Sequence, residues 1–295
     1  MDNLFAAGDR FLLSQARLLE RRLFATIFLG QSGTHVIDAL RGYQNDDSGF
    51  GHALEPDKRC PASLPIDVET AFQAMAAAAT VDQTMITRAC DFLAATAARA
   101  NAGGAVPAAF DVIEQFPRAA HWTDWTYAPA LNPTAGLAGL MYQLEVDHPW
   151  RAQATEYCWE QLATDGTIGD AHTLSEVMIF LAHVPDRDRA DRHAREIAAH
   201  FADIAMFHLD PDAEGYGLTP LHLAPEPGSR WRSLLFTDAQ IGGHLDRLLK
   251  NQQDDGGWPI TWEPPSAAST MEWRGIVTLQ ALRTLASYGR IDAGV

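Results

Sequence analysis

The 295-residue chain has little cysteine and little positive charge. Its three cysteines, Cys60, Cys90 and Cys158, lie far apart, which is typical of a reducing compartment and argues against a disulfide framework. The 22 Lys and Arg residues are outnumbered by 38 Asp and Glu residues, and the formal net charge is -16. Such a chain would repel the phosphates of nucleic acids, so we expect no nucleic-acid partner.

Long apolar runs are also missing. The segment 1–30 has apolar side chains at helical spacing, but charged residues interrupt them, namely Asp9, Arg10, Arg17, Glu20, Arg21 and Arg22. This pattern predicts one amphipathic N-terminal helix that ends at Gly30, rather than a signal peptide or a membrane span. We therefore expect a cytoplasmic protein with no membrane span.

Strand signals are scarce, since few segments alternate apolar and polar residues. Phosphate-cradling glycine loops and Gly-x-Ser-x-Gly nucleophile turns are absent from the sequence. Apolar helical stretches instead cover 66–79, 132–144, 171–184, 229–250 and 271–288, and more charged stretches such as 186–201 precede the turns. This alternation predicts an all-α protein with two concentric layers of helices, the apolar ones inside.

The chain also contains a copy of part of itself. Residues 44–51 read Gln-Asn-Asp-Asp-Ser-Gly-Phe-Gly, and 208 positions later residues 252–259 read Gln-Gln-Asp-Asp-Gly-Gly-Trp-Pro. Degenerate versions of the turn occupy 103–107, 165–169 and 212–217. In such turns Asp and Asn cap local amides and glycine supplies positive φ, while the amides of Gln44 and Gln252 can bond to the next turn. The constant offset predicts a reused helical hairpin within a single domain over 1–295.

This Gln-x-Asp-Asp-Gly-Gly-Trp-Pro pattern, followed by an inner helix, resembles the QW repeat of the terpenoid cyclase and protein prenyltransferase superfamily. The match is specific over 44–71 and 252–282, and the degenerate turns extend it over nearly the whole chain after Gly30. The resemblance implies an α/α toroid, a double ring of about five to six helical hairpins around a central cavity. The turns over 51–57 and 262–265 resemble those of short, stand-alone bacterial toroid proteins.

The resemblance also implies candidate catalytic residues. The segment 67–70 resembles the Asp-x-Asp-Thr motif of class II terpene cyclases, with Glu69 at the position of the proton-donating aspartate. Such an acid must stay protonated near neutral pH, which burial among apolar side chains provides. Asp67 would orient Glu69, or it would simply cap the helix. His172 and Glu176 lie one helical turn apart. They would act together as an acid–base pair, or His172 would be a buried histidine that hydrogen-bonds to a neighbouring carboxylate.

Two further groups of residues are candidates for substrate binding at the mouth of the cavity. Charged residues of the first and last repeats would hold an anionic head group through Arg59 or Arg274, or would form salt bridges that close the ring. Aromatic residues would bind an isoprenoid or a sugar ring, or would pack in the core. The candidates are Glu55, Asp57, Arg59, Trp122, Trp125, Tyr127, Trp231, Trp262, Glu272, Trp273 and Arg274.

These features favour a metal-independent enzyme that binds a mainly apolar, isoprenoid-derived small molecule and acts through Glu69. The Asp-x-Cys and His ligands that hold zinc in protein prenyltransferases have no counterpart in the sequence, so we expect no metal or other cofactor. A carbohydrate-active (α/α) barrel, either a hydrolase or a lyase, is one alternative, and a non-catalytic ligand-binding toroid is another. The identity of the substrate and the oligomeric state stay open.

Overall fold

The computed structural model describes residues 4–123, 125–164 and 168–293. Within these ranges the chain forms thirteen α-helices, and its β-bridges are isolated rather than part of strands, so the all-α prediction is confirmed. None of the described helices combines the length and apolarity that a membrane crossing requires. The helices are α1 (Leu4–Gln15), α2 (Leu18–Leu29), α3 (Thr34–Leu40), α4 (Pro65–Ala77), α5 (Gln83–Ala100), α6 (Leu131–Gln143), α7 (Pro149–Thr164), α8 (Ala171–His183), α9 (Arg187–Ala198), α10 (Pro220–Leu223), α11 (Arg230–Leu235), α12 (Asp238–Lys250) and α13 (Ala267–Ser287).

The predicted single helix over 1–30 is wrong, because the chain breaks between α1 and α2. Arg17 adopts an extended conformation at this break, with φ -60° and ψ 163°. Its guanidinium donates to both carboxyl oxygens of Glu20, at 3.0 and 2.6 Å. It also donates to the carbonyls of Ala53 and Leu54, at 3.3 and 2.8 Å. The break therefore allows one arginine to hold a distant loop against the N-terminal helices.

Most of the other predicted helix positions are confirmed. Helices α4, α6, α8 and α13 follow the predicted segments to within a few residues, and the N-terminal segment ends at Gly30 with φ 65°. The single helix predicted over 229–250 is wrong, because Thr237 starts a new helix there. Its N–H donates to Gln240 Oε1 at 2.9 Å, and the Gln240 N–H donates to Thr237 Oγ1 at 3.2 Å. This reciprocal cap separates α11 from α12.

The duplicated turn has the same hydrogen bonds in both copies. In each copy the glutamine Nε2 donates to the carbonyl four residues later, at 3.0 Å in the first and 2.8 Å in the second. The residue after each glutamine, Asn45 or Gln253, donates its N–H to the carbonyl four positions later, at 2.9 Å in both copies. The side chains of Asp47 and Asp255 each accept the N–H two residues later, at 3.1 Å. Ser48 and Gly256 occupy the same place, with φ 80° and 90°. The predicted reuse of one turn is confirmed.

Two of the degenerate turns also use glycine as predicted. Gly103 and Gly104 in the turn over 103–107, and Gly215 in the turn over 212–217, have positive φ. Residues 165–167 of the remaining turn lie outside the described residues.

Each glutamine of the duplicated turn also bonds to a second helix. Gln44 Nε2 donates to the Met85 carbonyl in α5 at 3.0 Å, and Gln252 Nε2 donates to the Leu4 carbonyl in α1 at 2.8 Å. The second bond joins the last repeat to the first helix, so the two ends of the chain are neighbours. The helix pairs in contact include α13 with α1 and α2, α2 with α4, α4 with α6, α6 with α8, α8 with α10, α10 with α12, and α12 with α13.

Helices α6 and α8 pack closely because α6 has glycines where the two meet. A Cβ on Gly139 would lie 2.7 Å from the backbone of Ile179, so a larger residue would push the helices apart. The apolar core continues on both sides of this contact, and it includes Phe72, Leu137 and Phe180, all completely buried. The packing of α4, α6 and α8 therefore fixes the positions of the side chains that lie where these helices meet.

Replacing Gln44 or Gln252 with alanine is expected to lower the free energy of unfolding by about 2 kcal/mol. Each change removes two hydrogen bonds to backbone carbonyls, at about 1 kcal/mol for each bond. Gln161→Ala, at an exposed position of α7, is the matched control and should change the free energy by less than about 0.5 kcal/mol. Urea denaturation followed by circular dichroism measures all three. Wild-type stability in both turn variants would contradict this role of the glutamines.

Candidate functional site

The loop over 51–64 places ionisable side chains in the protein interior. Glu55, Asp57 and Lys58 are 8%, 4% and 1% exposed, although charged residues are seldom buried without partners. The loop is attached to α4 through Asp67, whose Oδ1 accepts the Glu55 N–H at 2.7 Å. A buried carboxyl thus fixes the backbone next to the charged residues of the loop.

The alternative prediction, that Asp67 caps α4, is wrong. The helix begins at Pro65 and its N-cap position is Leu64, so Asp67 lies within the first turn and holds the loop instead. Its Oδ2 is buried without a hydrogen-bond partner among the described residues. Burial raises the pKa of Asp67 to about 7, an effect that the positive charge of Lys58 partly offsets.

Lys58 is the buried positive charge of this loop. Its Nζ contacts Glu55 Oε2 and lies 4.9 Å from the centre of the Trp122 ring. The Trp122 ring packs against Trp125, with centroids 4.6 Å apart. The ammonium of Lys58 is therefore already neutralised by a carboxylate and stabilised by an aromatic face.

Glu69 of α4 and Glu176 of α8 form a buried carboxyl pair next to α6. Their side chains are hydrogen-bonded to each other, and Glu69 Oε1 also accepts Gln73 Nε2 at 2.9 Å. Both carboxyls lie against Gly136, where a Cβ would be 1.6 Å from Glu176 Oε2 and 3.0 Å from Glu69 Oε1. Glu176 Oε2 is buried without a hydrogen-bond partner among the residues that the structure describes.

This carboxyl pair keeps a proton at neutral pH. Two carboxyl groups in contact and out of water cannot both be ionised at ordinary cost. Burial raises the pKa of Glu69 to about 7, and burial together with Glu69 raises the pKa of Glu176 well above its usual range. Because the two titrate together, the retained proton belongs to the pair rather than to either residue.

Asp57 is held by two indoles from the other end of the chain. Its Oδ1 accepts Trp273 Nε1 at 2.8 Å and Trp262 Nε1 at 3.3 Å, and its Oδ2 lies 3.5 Å from His121 Nε2. Burial and the neighbouring Glu55 raise the pKa of Asp57 to about 7, while the two indole hydrogen bonds act in the opposite direction. The first and last repeats are therefore joined through a carboxyl group.

Tyr216 extends this aromatic group towards α8. Its ring is perpendicular to that of Trp262, with centroids 5.4 Å apart, and its hydroxyl oxygen lies 3.0 Å from His172 Nε2. Burial, followed by the charges of Asp57 and Glu55, raises the pKa of Tyr216 to about 12. Burial lowers the pKa of His172. A protonated phenol and a neutral imidazole thus share a hydrogen bond.

His172 and His222 are both accessible to solvent. The surrounding protein nevertheless lowers the pKa of both imidazoles by desolvation, to about 4 for His222. The charge of His172 also lowers the pKa of His222, so the two side chains lie within electrostatic reach of each other.

Many of the predicted site residues meet in this region. The charge of Glu55 contributes to the raised pKa values of Asp57, Glu69 and Tyr216, so these groups lie within electrostatic reach of one another. His172 and Glu176 share α8 but bond to different partners, Tyr216 and Glu69. The predicted residues that come together are Glu55, Asp57, Asp67, Glu69, Trp122, Trp125, His172, Glu176, Trp262 and Trp273.

The two arginines predicted to hold an anionic head group are already paired. Arg59 Nη1 lies 2.5 Å from Glu272 Oε2, which agrees with the salt-bridge alternative. Arg274 donates to both carboxyl oxygens of Asp255, at 2.7 and 2.8 Å, and so it clamps the second copy of the duplicated turn. The positive charge of each guanidinium is therefore already balanced by a carboxylate.

Trp231 lies in other surroundings. It is 2% exposed and its Nε1 donates to the Met178 carbonyl at 3.1 Å, as expected of a core residue. Tyr127 packs against the same apolar cluster as Trp122 and Trp125, and it donates its hydroxyl to Glu114 at 2.9 Å.

Some residues of the site had no predicted role. Gln73 follows Glu69 by one helical turn, and Tyr216 is the aromatic residue of a degenerate turn, so helical spacing and repeat alignment are signals that could have found them. Gly136 has no comparable signal, because its importance depends on which helices lie beside it.

Two shallow surface recesses, of about 520 Å³ and 280 Å³, share no residue with this region. The larger is formed around Tyr142, Trp159 and Arg189, and the smaller is formed by residues within 34–41 and 80–84. Among the described residues, no three His, Cys, Asp or Glu side chains are arranged to hold a metal ion.

No protein-family model matches the chain, and no curated protein matches it. Among solved structures, the crystal structure of a protein from Actinoplanes is similar, with a TM-score of 0.56 over 96% of this chain and 98% of that chain. The two sequences are 19% identical, so the likeness concerns the fold alone.

Gly136→Ala is expected to destabilise the protein, whereas Gly242→Ala should stabilise it slightly. A methyl group at 136 would collide with the Glu176 carboxyl, but no atom lies within 4 Å of the corresponding position at 242, in α12. We expect a loss of about 2 kcal/mol in the free energy of unfolding for the first variant. The second should gain up to about 1 kcal/mol, because alanine favours helix more than glycine does. Chemical denaturation measures the pair, and equal effects would contradict the close approach of the carboxyls to α6.

The carboxyl pair should also make the protein less stable as the pH rises. An acid with a raised pKa binds its proton more tightly in the folded state, so the free energy of unfolding falls between its ordinary pKa and its raised one. For Glu69 this window runs from 4.5 to about 7, and the loss across it is about 3 kcal/mol. In Glu176→Gln the amide can donate to Glu69 and favour its ionised form, so the loss should be smaller.

Thermal unfolding measured between about pH 5 and about pH 8 checks this pH dependence. Wild type and Glu160→Gln, a control at an exposed position of α7, should lose stability in parallel as the pH rises, and Glu176→Gln should lose less. Three parallel curves would mean that Glu69 and Glu176 do not share a proton.

Proposed function

We propose that the protein is a terpene-cyclase-like enzyme, in which a buried carboxylic acid protonates a mainly apolar, isoprenoid-derived small molecule inside an α/α toroid. The observation that carries the proposal is the buried contact between Glu69 and Glu176, which keeps a proton at neutral pH because burial raises both pKa values and the contact with Glu69 raises that of Glu176 further. Acid-initiated chemistry needs a carboxyl group in this state.

The toroid is supported by the order in which the helices pack. The contacts run from α2 through α4, α6, α8, α10 and α12 to α13, and they return from α13 to α2. The hydrogen bonds from Trp262 and Trp273 to Asp57 and the ion pair between Arg59 and Glu272 join the first and last repeats. A closed succession of this kind would enclose a hollow, in which the proposal places the substrate.

In the proposed reaction, the π electrons of a substrate double bond take the proton of the Glu69 carboxyl. A C–H bond forms and the O–H bond breaks, which leaves a carboxylate and a carbocation. Nearby aromatic faces stabilise the cation, a second double bond of the substrate attacks it to close a ring, and loss of a proton to a carboxylate restores an alkene. Gln73 would orient Glu69 through its 2.9 Å hydrogen bond, and Glu176 would return the proton.

A carbohydrate-active enzyme is the second candidate, because polar and aromatic groups lie together around Asp57. Tyr216 and Trp262 are partly exposed and offer a phenol and an indole face beside the buried Asp57 carboxyl, and such groups suit a sugar ring. However, Glu69 and Glu176 are in hydrogen-bond contact, whereas the two acids of a glycosidase stand about 5 to 9.5 Å apart around the sugar. The carboxyl pair therefore favours the first candidate.

Glu69→Gln is expected to lower turnover by about 100-fold or more, because a positioned general acid contributes at least that much. The amide keeps the size of the side chain but has no acidic proton. Glu160→Gln is the matched control and should keep full activity, and circular dichroism checks the fold of both variants. The assay incubates the protein with linear isoprenoid hydrocarbons, alcohols, amines and diphosphates and with oligosaccharides, and mass spectrometry detects the products.

Full activity of Glu69→Gln would rule out the proposed acid. Cleavage of an oligosaccharide would establish the second candidate instead. If none of the compounds is converted, a non-catalytic binding protein becomes the better explanation.

A further inference from the structure

Tyr216, Trp262 and Trp273 form an aromatic cage beside Asp57. Each successive pair of rings is perpendicular, at 80°, with centroids 5.4 and 5.1 Å apart. All three rings are partly exposed. In such edge-to-face contacts part of each ring stays uncovered, and the uncovered faces of the rings attract organic cations through their negative π charge.

Asp57 orients this cage and adds a carboxyl group to it. Trp273 Nε1 and Trp262 Nε1 both donate to Asp57 Oδ1, at 2.8 and 3.3 Å. These bonds fix the indoles, and they offset part of the rise in the pKa of Asp57 that burial and Glu55 cause. Because both N–H groups are used in this way, the indoles offer a ligand their faces rather than hydrogen-bond donors. A ligand in the cage meets π faces and a carboxyl group, whose ionised form a positive charge would favour.

The positive charges around the cage already have carboxylate partners. Lys58 contacts Glu55, and Arg59 contacts Glu272. His121, which lies 3.5 Å from Asp57, has its pKa lowered by burial, so it is mainly neutral at pH 7. An anionic ligand would therefore meet a carboxylate without a compensating cation, whereas a cationic ligand would supply the missing charge.

We propose that the aromatic cage and Asp57 form a binding subsite for the protonated amine of a small-molecule ligand. The inference rests on the proposed function in that the ligand occupies the proposed hollow of the toroid, and it specifies the head group as an ammonium rather than a diphosphate. The ammonium donates to Asp57 Oδ2 and its charge lies against the ring faces. The two arginines that the sequence singled out for an anion stay in their ion pairs.

Three ligands with one hydrocarbon tail test the head group: geranylamine, geraniol and geranyl diphosphate. Isothermal titration calorimetry with the full chain at about pH 7.5 should show the amine binding at least about tenfold more tightly than the alcohol, and the diphosphate more weakly than the alcohol. In Asp57→Asn an oxygen can still accept both indole N–H groups, so the cage is preserved. There the advantage of the amine should fall to about twofold or less, with geraniol binding unchanged. Asp188→Asn, exposed in α9, is the matched control and should behave as wild type.

Benzylamine and benzyl alcohol separate this inference from the proposed function, because neither has an isoprenoid tail. If benzylamine binds in an Asp57-dependent way while no geranyl compound binds, the amine subsite is supported and the isoprenoid substrate is wrong. If geraniol or geranyl diphosphate binds as tightly as geranylamine, the amine subsite is wrong and the acid role of Glu69 is unaffected. If neither amine binds, the amine subsite is also wrong.

Discussion

The contact between Glu69 and Glu176 is the interaction on which the rest of the structure depends. It requires α4 and α8 to meet beside α6, and only a glycine at position 136 leaves room for the two carboxyls. The same packing excludes water, and exclusion of water is what raises both pKa values. The close approach of the helices and the raised pKa values of the two carboxyl groups therefore have one cause. A change in the helix packing would change both.

The loop over 51–64 shows how such a site can keep further charges buried. Three distant parts of the protein hold it: Arg17 binds its carbonyls, Asp67 binds its backbone N–H, and two tryptophans bind the side chain of Asp57. The tryptophans lie 205 and 216 positions away in the sequence. Because each attachment is a hydrogen bond to a charged group, which is stronger than one between neutral groups, the loop is positioned firmly although it has no regular structure.

The duplicated turns and most of the helices could be predicted because they depend on nearby residues. Gln44 bonds to a carbonyl four positions on, so the motif contains its own partner. The break at Arg17 could not be predicted, because the carbonyls that hold this side chain are 36 and 37 positions away. Helical spacing likewise paired Glu176 with His172, whereas packing pairs it with Glu69. Local rules thus identify elements and candidate residues, but tertiary packing decides which residues become partners.

Asp57 and Glu69 differ in a way that allows one cluster to contain both an anion and an acid. Burial raises both pKa values to about 7, and hydrogen bonds act in the opposite direction at both residues. The neighbours differ, because Asp57 lies beside the aromatic cage, whereas Glu69 contacts a carboxyl group whose own pKa is well above its usual range. A positive charge in the aromatic cage, either an ammonium or a carbocation, would favour ionised Asp57 further. The carboxyl pair is not part of the cage, and it would still share one proton. The site could therefore hold positive charge and donate a proton at the same pH, which exposed carboxyl groups with equal surroundings could not do.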